Sequence, residues 1–500
     1  MKQRHLLAAG LVLVLTGCGE SADPGDSAAP EAEPGGLVLV GGQLIDGSGA
    51  PPVADSVVVI RDGRIESAGP RDTTAVPDGA EMVDVTGKTI MPGLVNLHVH
   101  YREGPEEIQR QFQSQLYYGV TTARSIGSDS PERVAFLLEA NAGRPDFPRT
   151  YTAGLGFSRP GGFNAAGRNA PATEDEARSL VRDQIALGVH FVKMWVNEVD
   201  EPGLKITPEI RSAIIDEASR NGAIPVAHID DEVDGRQLVQ AGLRDLLHST
   251  VLTFGPGAGV PVNDPAPSPE FIQMCLDNGV SFTPTLSIVQ NNWHFAEHPE
   301  LLDDPALRAA FNAYNPDALA GWDDPARRAD VVDAPGFEDR KAAFRQVQDF
   351  VKTMHDAGVK VALGNDAGTA NVPFGWAIHH EMELYVEAGL TPMDAIVAAT
   401  ATGAGQMPPV GEADFGILEA GKAADLVVLN ADPLADIRNT LEIDRVMRLG
   451  EWVDRSGFVP SPSSTVGFRS AAPVWPGATR EQPGATGGWV AADGGVSSGA

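Results

Sequence analysis

The ten residues LVNLHVHYRE (94–103) set two histidines on either side of a single valine, directly after the breaker Pro92-Gly93. Side chains on a strand alternate between faces, so His98 and His100 share one face and Leu97 and Val99 the other. Two imidazoles on one face, at the end of an apolar run, suit a metal ion. The residues beyond this strand decide the fold. No Gly-rich dinucleotide fingerprint comes after it, which argues against a doubly wound open sheet.

From about residue 93 to 404, strand and helix patterns alternate. Strands are expected at Leu94–His98, Val120–Arg124, Thr150–Ala153, Phe191–Val196, Ile224–His228, Asp245–His248, Val280–Thr285 and Val361–Gly364. Helical periods lie between them, for example EDEARSLVRDQIALG, ITPEIRSAIIDEASRNG and FRQVQDFVKTMHDAG, each ending at a glycine. Eight strands, each followed by a helix, predict an α/β protein built on a (β/α)8 TIM barrel. Shorter strand patterns flank this region: LVLVGGQLIDG and SVVVIRDGRIESAG before it, AADLVVLNADP and DRVMRLGEWVDRSG after it.

The chain has 500 residues, 42% of them hydrophobic, enough for a barrel-sized domain and a smaller one. A formal charge of −31 argues against nucleic acid, whose phosphates need clustered Lys and Arg. Residues 1–18 read as a secretory signal: Lys2 and Arg4, an apolar Leu6–Leu15, then small residues before Cys18. Leu15-Thr16-Gly17-Cys18 also resembles the bacterial lipobox, which predicts lipidation of Cys18 and an exported lipoprotein held at a membrane. An ordinary cleaved signal with an incidental cysteine is the plainer alternative. Residues 19–36 read as a flexible tether, 37–92 and 405–458 as the β-rich parts, 93–404 as the barrel, and 459–500 as a poorly ordered tail. Once Cys18 is set aside, Cys275 has no cysteine to pair with and reads as an inert buried thiol.

Functional residues of such barrels come from the C-terminal ends of the strands. Strands one, five, six and eight end in His98 and His100, His228, His248 and Asp366, and strand four carries Lys193. An ammonium repels cations, but a neutral lysine amine that captures carbon dioxide becomes an anionic carbamate able to bridge two metals. Phe191, Lys193 and Trp195 share a face of an apolar strand, where an unpartnered charge is costly; snorkelling to solvent is the alternative. Asp366 reads as a carboxylate ligand and proton carrier, or as an Asx-turn within GNDAGT. His379 and His380, on the helical pattern leading to Glu381, read as packing or supporting residues.

With these residues in place, the chain resembles the amidohydrolase superfamily, in its branch with two metals bridged by a carboxylated lysine. MPGLVNLHVH, HHEMELYVEAGLTPMDAIVAATATGA and FGILEAGKAADLVVLNADPLADI resemble stretches of its imidazolonepropionase-like and Xaa-Pro dipeptidase-like group, and the likeness spans roughly residues 37 to 455. It implies that the two β-rich parts form one small β-sandwich beside the barrel. It also implies His98, His100 and Asp366 on the more buried metal, N6-carboxylysine at Lys193 as the bridge, and His228 and His248 on the other metal. Two divalent ions, zinc first, lower the pKa of a bridging water, and the hydroxide attacks an amide or peptide C–N bond of a small molecule. Asp366 takes the proton and delivers it to the leaving amine.

The loops depart from the dipeptidase-like pattern. Phe163 stands where relatives often carry the histidine of a Gly-Gly-His, and Asp230, Asp231 and Glu232 make an acidic run after His228. Arg102, Arg159 and Arg168 are candidates for a substrate carboxylate, and Trp293 for an apolar pocket. Trp293 lies in an insertion, about 287 to 339, that reads either as a lid or as helices packed on the rim. Lactones, esters, phosphotriesters and cyclic amides are alternative substrates. A non-catalytic binding lipoprotein is the third reading; loss of a ligand would favour it, and none of the six is missing.

Overall fold

The computed structural model describes residues 36–141, 143–162, 167–196, 205–248, 266–369 and 371–459. Cys18 and its signal, the tether up to residue 35, Phe163 and the tail from residue 460 lie outside the described residues.

All eight expected strands are present. β1 (Leu94–Val99), β2 (Val120–Ser125) and β3 (Arg149–Thr152) form one parallel sheet. β4 (Phe191–Val196), β5 (Ile224–Ile229), β6 (Asp245–Leu247), β7 (Ser281–Thr283) and β8 (Lys360–Val361) form a second. Backbone hydrogen bonds cross both gaps between the sheets. Phe157 N donates to Lys193 O at 2.8 Å and Trp195 N to Phe157 O at 2.9 Å, joining the loop after β3 to β4. On the other side Leu97 N donates to Leu363 O at 3.0 Å and His100 N to Ala367 O at 2.7 Å.

Helices form where the glycine-ended periods predict them, at Glu174–Ala186, Pro208–Arg220 and Phe337–Asp356. Thr173 and Thr207 cap the first two through their side chains, which accept from Glu176 N and Ile210 N. The outward face of β4, Val192, Met194 and Val196, packs with Val181 and Ile214 of those helices in a common apolar cluster. Cys275 is buried and unpaired, and burial pushes its thiol up to about 12, as expected of an inert cysteine.

The flanking segments build two further sheets. One contains Leu37–Val40, Ser56–Arg61, Arg64–Pro70 and Glu81–Asp84. In the other, Leu426–Leu429 inserts between Thr89–Pro92 and Ile443–Arg448, pairing residue 426 with 92 and 429 with 89. Leu39, Val58 and Ile60 of the first sheet share an apolar cluster with Ile90, Leu426 and Val428 of the second.

The insertion is helical: Pro305–Asn312, Pro316–Asp323 and Pro325–Val332 follow shorter turns. Phe295, Phe311 and Trp322 bury themselves with Tyr101, Phe374 and Trp376, so much of its aromatic surface is used in packing. Trp293 is 5% exposed, with its ring edge-on to Phe337 and Phe344, which leaves almost none of it for a substrate. Among the described residues no helix is long and apolar enough to cross a membrane.

Candidate active site

At the C-terminal ends of β1, β5, β6 and β8, four imidazoles and a carboxylate converge. Ring centroids of His98 and His100 lie 5.2 Å apart, His98 and His248 4.7 Å, and His228 and His248 4.2 Å. His100 Nε2 and His98 Nε2 stand 3.0 and 3.5 Å from Asp366 Oδ1. Side-chain donor atoms of His98, His248 and Asp366 all lie within 4.8 Å of one another. Lys193 projects from β4 and is completely buried.

The backbone turns sharply to achieve this. His248 (φ 66°) and Asp366 (φ 61°) occupy the left-handed region, costing about 1–3 kcal/mol each, as does Thr285 (φ 53°). This is why β6 stops at Leu247 rather than at the expected His248. Gly368 (φ 91°) lets the loop after β8 press on β1: a Cβ there would sit 2.1 Å from His100 O.

Supporting contacts orient the rings. His100 Nδ1 is 2.9 Å from Ser128 Oγ, and His248 Nδ1 is 2.7 Å from Thr285 Oγ1. His228 Nε2 is 3.2 Å from Asp230 Oδ1. Asn96 Nδ2 donates to Asn365 Oδ1 at 2.8 Å, and that oxygen also accepts from Ala367 N at 3.0 Å, pinning Asp366 between two held neighbours. Sequence reasoning misses these asparagines; each is adjacent to, or two residues from, a candidate ligand, which is the available signal.

The unsatisfied groups are informative. Both ring nitrogens of His98, Nζ of Lys193 and Oδ1 of Asp366 are buried without hydrogen-bond geometry to any partner. Buried polar atoms are otherwise almost always paired. Burial holds the imidazoles of His98 and His248 well below their usual range, His248 aided by His228 and Lys193. It likewise drives the Lys193 amine far down, with Asp366 opposing and Arg124 and Arg168 reinforcing. Neutral imidazoles and a carboxylate are the donor chemistry of a divalent metal site, and a neutral amine beside them can be converted to an anionic ligand, so these residues fit such ions.

The weaker candidates divide. Arg168 stacks on Trp195 with its guanidinium carbon 3.9 Å from the ring, and it donates to Gly127 O and, at 3.2 Å, to Ser128 Oγ. Burial lowers it to about 10, and the nearby Arg102 adds to the shift. Arg102 Nε donates to Gly368 O at 2.6 Å, and its guanidinium is close enough to Asp366 to feel that charge. Arg159 donates to Pro160 O at 3.2 Å. The acidic run is largely spent on structure: Asp231 caps Glu232–Gln240 and pairs with Lys205 at 2.7 Å, while Glu232 accepts from Ser268 N at 2.9 Å and pairs with Arg236.

On the helix Trp376–Glu387, His379 bridges Thr440 Oγ1 and Tyr118 O at 3.0 and 2.9 Å, and His380 is 2.7 Å from Gln290 Oε1, so both pack as expected. Glu381 does more than the sequence suggests. Its two oxygens accept from Leu286 N at 2.6 Å and Ser287 N at 2.7 Å, fixing the turn that holds Thr285 against His248. Burial raises its carboxyl to about 7, so the folded chain keeps a proton that the unfolded chain, titrating near 4.5, releases. Stability therefore falls as pH rises between those values, by about 3 kcal/mol, and stays lower above them. Glu381→Gln is expected to flatten that slope, read from urea unfolding at pH 5 and pH 8. An unchanged slope would show that Glu381 is not its source.

Neutral donors and a carboxylate gathered where parallel strands end are the architecture of an α/β enzyme site. The profile of the Amidohydrolase family matches residues 89–453, and the chain belongs to that family. It is 27% identical over 412 residues to the imidazolonepropionase of Micrococcus luteus, covering 76% of this chain and 88% of that protein. To the ochratoxinase of Aspergillus niger it is 23% identical over 459 residues, covering 80% and 82%. A solved Xaa-Pro dipeptidase with methionine bound in its active site shares the fold at a TM-score of 0.63 and 20% identity, over 83% of this chain and 99% of that one.

Proposed function

We propose that this chain is a metal-dependent hydrolase of carbon–nitrogen bonds in small molecules, amide or dipeptide substrates first. The observation that carries the reading is the buried Lys193 amine, without a hydrogen-bond partner and close enough to His98, His248 and Asp366 to interact electrostatically with each. A neutral amine adds carbon dioxide through its lone pair and sheds a proton, giving N6-carboxylysine, an anion with two oxygens. In this reading His98, His100 and Asp366 would hold one ion and His228 and His248 the other, with carboxylated Lys193 available to both. Two divalent ions, zinc first, would supply electrophilic activation of the substrate carbonyl and of water.

The chain's own groups do the rest. Asp366 takes the proton of the attacking water and returns it to the departing nitrogen, so no free amide anion has to leave. Asn96 and Asn365 fix the backbone on either side of Asp366, and Ser128 and Thr285 lie against the Nδ1 atoms of His100 and His248. Arg102 and Arg168 present a cationic edge for a substrate carboxylate, with the Arg168 plane steadied on Trp195. The family match and relatives such as imidazolonepropionase and ochratoxinase support a hydrolase. We further read the eight strands as a closed (β/α)8 barrel, the flanking sheets as one β-sandwich, and the protein as an exported lipoprotein anchored through Cys18.

The test loads the form lacking residues 1–18 with zinc under bicarbonate and assays dipeptides and N-acyl amino acids. Hydrolysis that stops on chelation and returns with zinc is expected, faster for free carboxylates than for their amides. Silence across the panel with two metals bound per chain would move the substrate to lactones, esters or phosphotriesters.

A further inference from the structure

At the opposite end of the strands from the histidines lies a cavity of about 700 Å³. The starts of β5, β6 and β8 form one wall, and residues 401–411 contribute to the other. Its charged lining is Arg124, Arg244 and Lys360 against the single carboxylate of Asp245. That carboxylate is fully engaged: Arg124 Nη2 donates to Oδ2 at 2.6 Å, and Ser281 Oγ and Thr283 Oγ1 donate to Oδ1 at 2.9 and 3.1 Å. Arg124 is completely buried and spends Nε on Leu97 O at 2.7 Å, yet its Nη1 has no hydrogen-bond partner. Arg244 and Lys360 stand exposed at the rim, with no ion pair among the described residues.

Three cations to one committed carboxylate is a local positive excess on a chain whose formal charge is −31. Such an excess in a recess draws anions from a surface that otherwise repels them. Ile224, Pro225 and Val410 add apolar wall, and the volume falls in the range of small-molecule sites. We propose that this cavity binds a small amphipathic anion, its carboxylate or phosphate on Arg244, Lys360 and the Arg124 edge and its apolar body against Ile224 and Val410. The site is separate from the histidine cluster and stands whatever bond the enzyme cleaves.

The intact metal-loaded chain is titrated by calorimetry with benzoate, benzamide and inorganic phosphate, beside an Arg244→Gln/Lys360→Gln variant. Benzamide, which lacks the charge, is expected to bind at least tenfold more weakly than benzoate. The variant is expected to lose tenfold or more in anion affinity while its hydrolysis rate is unchanged. Benzoate binding that the variant loses supports the site; inorganic phosphate bound more tightly than benzoate would overturn the apolar half of the assignment. Equal anion affinity in both proteins would place the binding elsewhere, at the metals included, and overturn the proposal, as would no binding of either anion.

Discussion

Lys193→Met is expected to lower kcat/KM by about a thousandfold, the scale on which one essential active-site group matters, while making the folded chain more stable. The two effects have one origin. The amine of Lys193 is entirely buried with no hydrogen-bond partner, a state worth roughly 1–3 kcal/mol of lost solvation. Methionine keeps the apolar stem as far as the Cε position and removes the unsatisfied nitrogen, so urea unfolding of metal-free protein should shift upward by about that amount. A structural lysine would behave oppositely, with stability falling along with activity. Full activity and full metal content in the variant would end the carbamate reading.

Asp366→Asn should lower kcat by about 10²–10⁴, the range for removing a positioned proton carrier, with a smaller change in KM. The substitution is a clean one. Asparagine tolerates the left-handed backbone that Asp366 adopts, and its size is the same, so the loop after β8 keeps its course. It removes the negative charge 3.0 Å from His100 Nε2 and the capacity to accept a proton there. The measurement pairs steady-state kinetics with metal analysis: lost turnover with both ions retained assigns proton transfer, and lost ions assign ligation. A kcat within about threefold of the wild type would exclude both roles.

Much of this is legible in the sequence alone, and the reasons are specific. The pattern places β4 to the residue because Phe191–Val196 is apolar on both faces, as a strand between a helix layer and an interior must be. The histidines and Asp366 are visible because each stands near or just after the end of a strand pattern, and Lys193 because it is the one charged residue inside an apolar strand. The same pattern makes β8 too long: Leu363 N leaves β7 and donates to Ala398 O, outside the ladder, which apolar character cannot reveal. Trp293 looks like a pocket residue only because an aromatic in a long insertion carries no mark of what it packs against. Arg124 with Asp245, Asn96 with Asn365 and Glu381 with Leu286 escape for the same reason. Each is a pairing between distant positions, decided by how the strands are brought together rather than by any local pattern.

The shared sheet carries a consequence for the order of events during synthesis. Thr89–Pro92 finds its partner in Leu426–Leu429, so an early segment must wait for a late one before its edge is covered. Closing a loop of that length costs roughly 5 kcal/mol of chain entropy by logarithmic scaling, a cost recovered only when the late strand docks. Until residue 429 has emerged, Ile90 lacks Val428 across the ladder and Leu39 lacks part of its apolar cover. A growing chain is thereby kept from completing this lobe before its last strands are made.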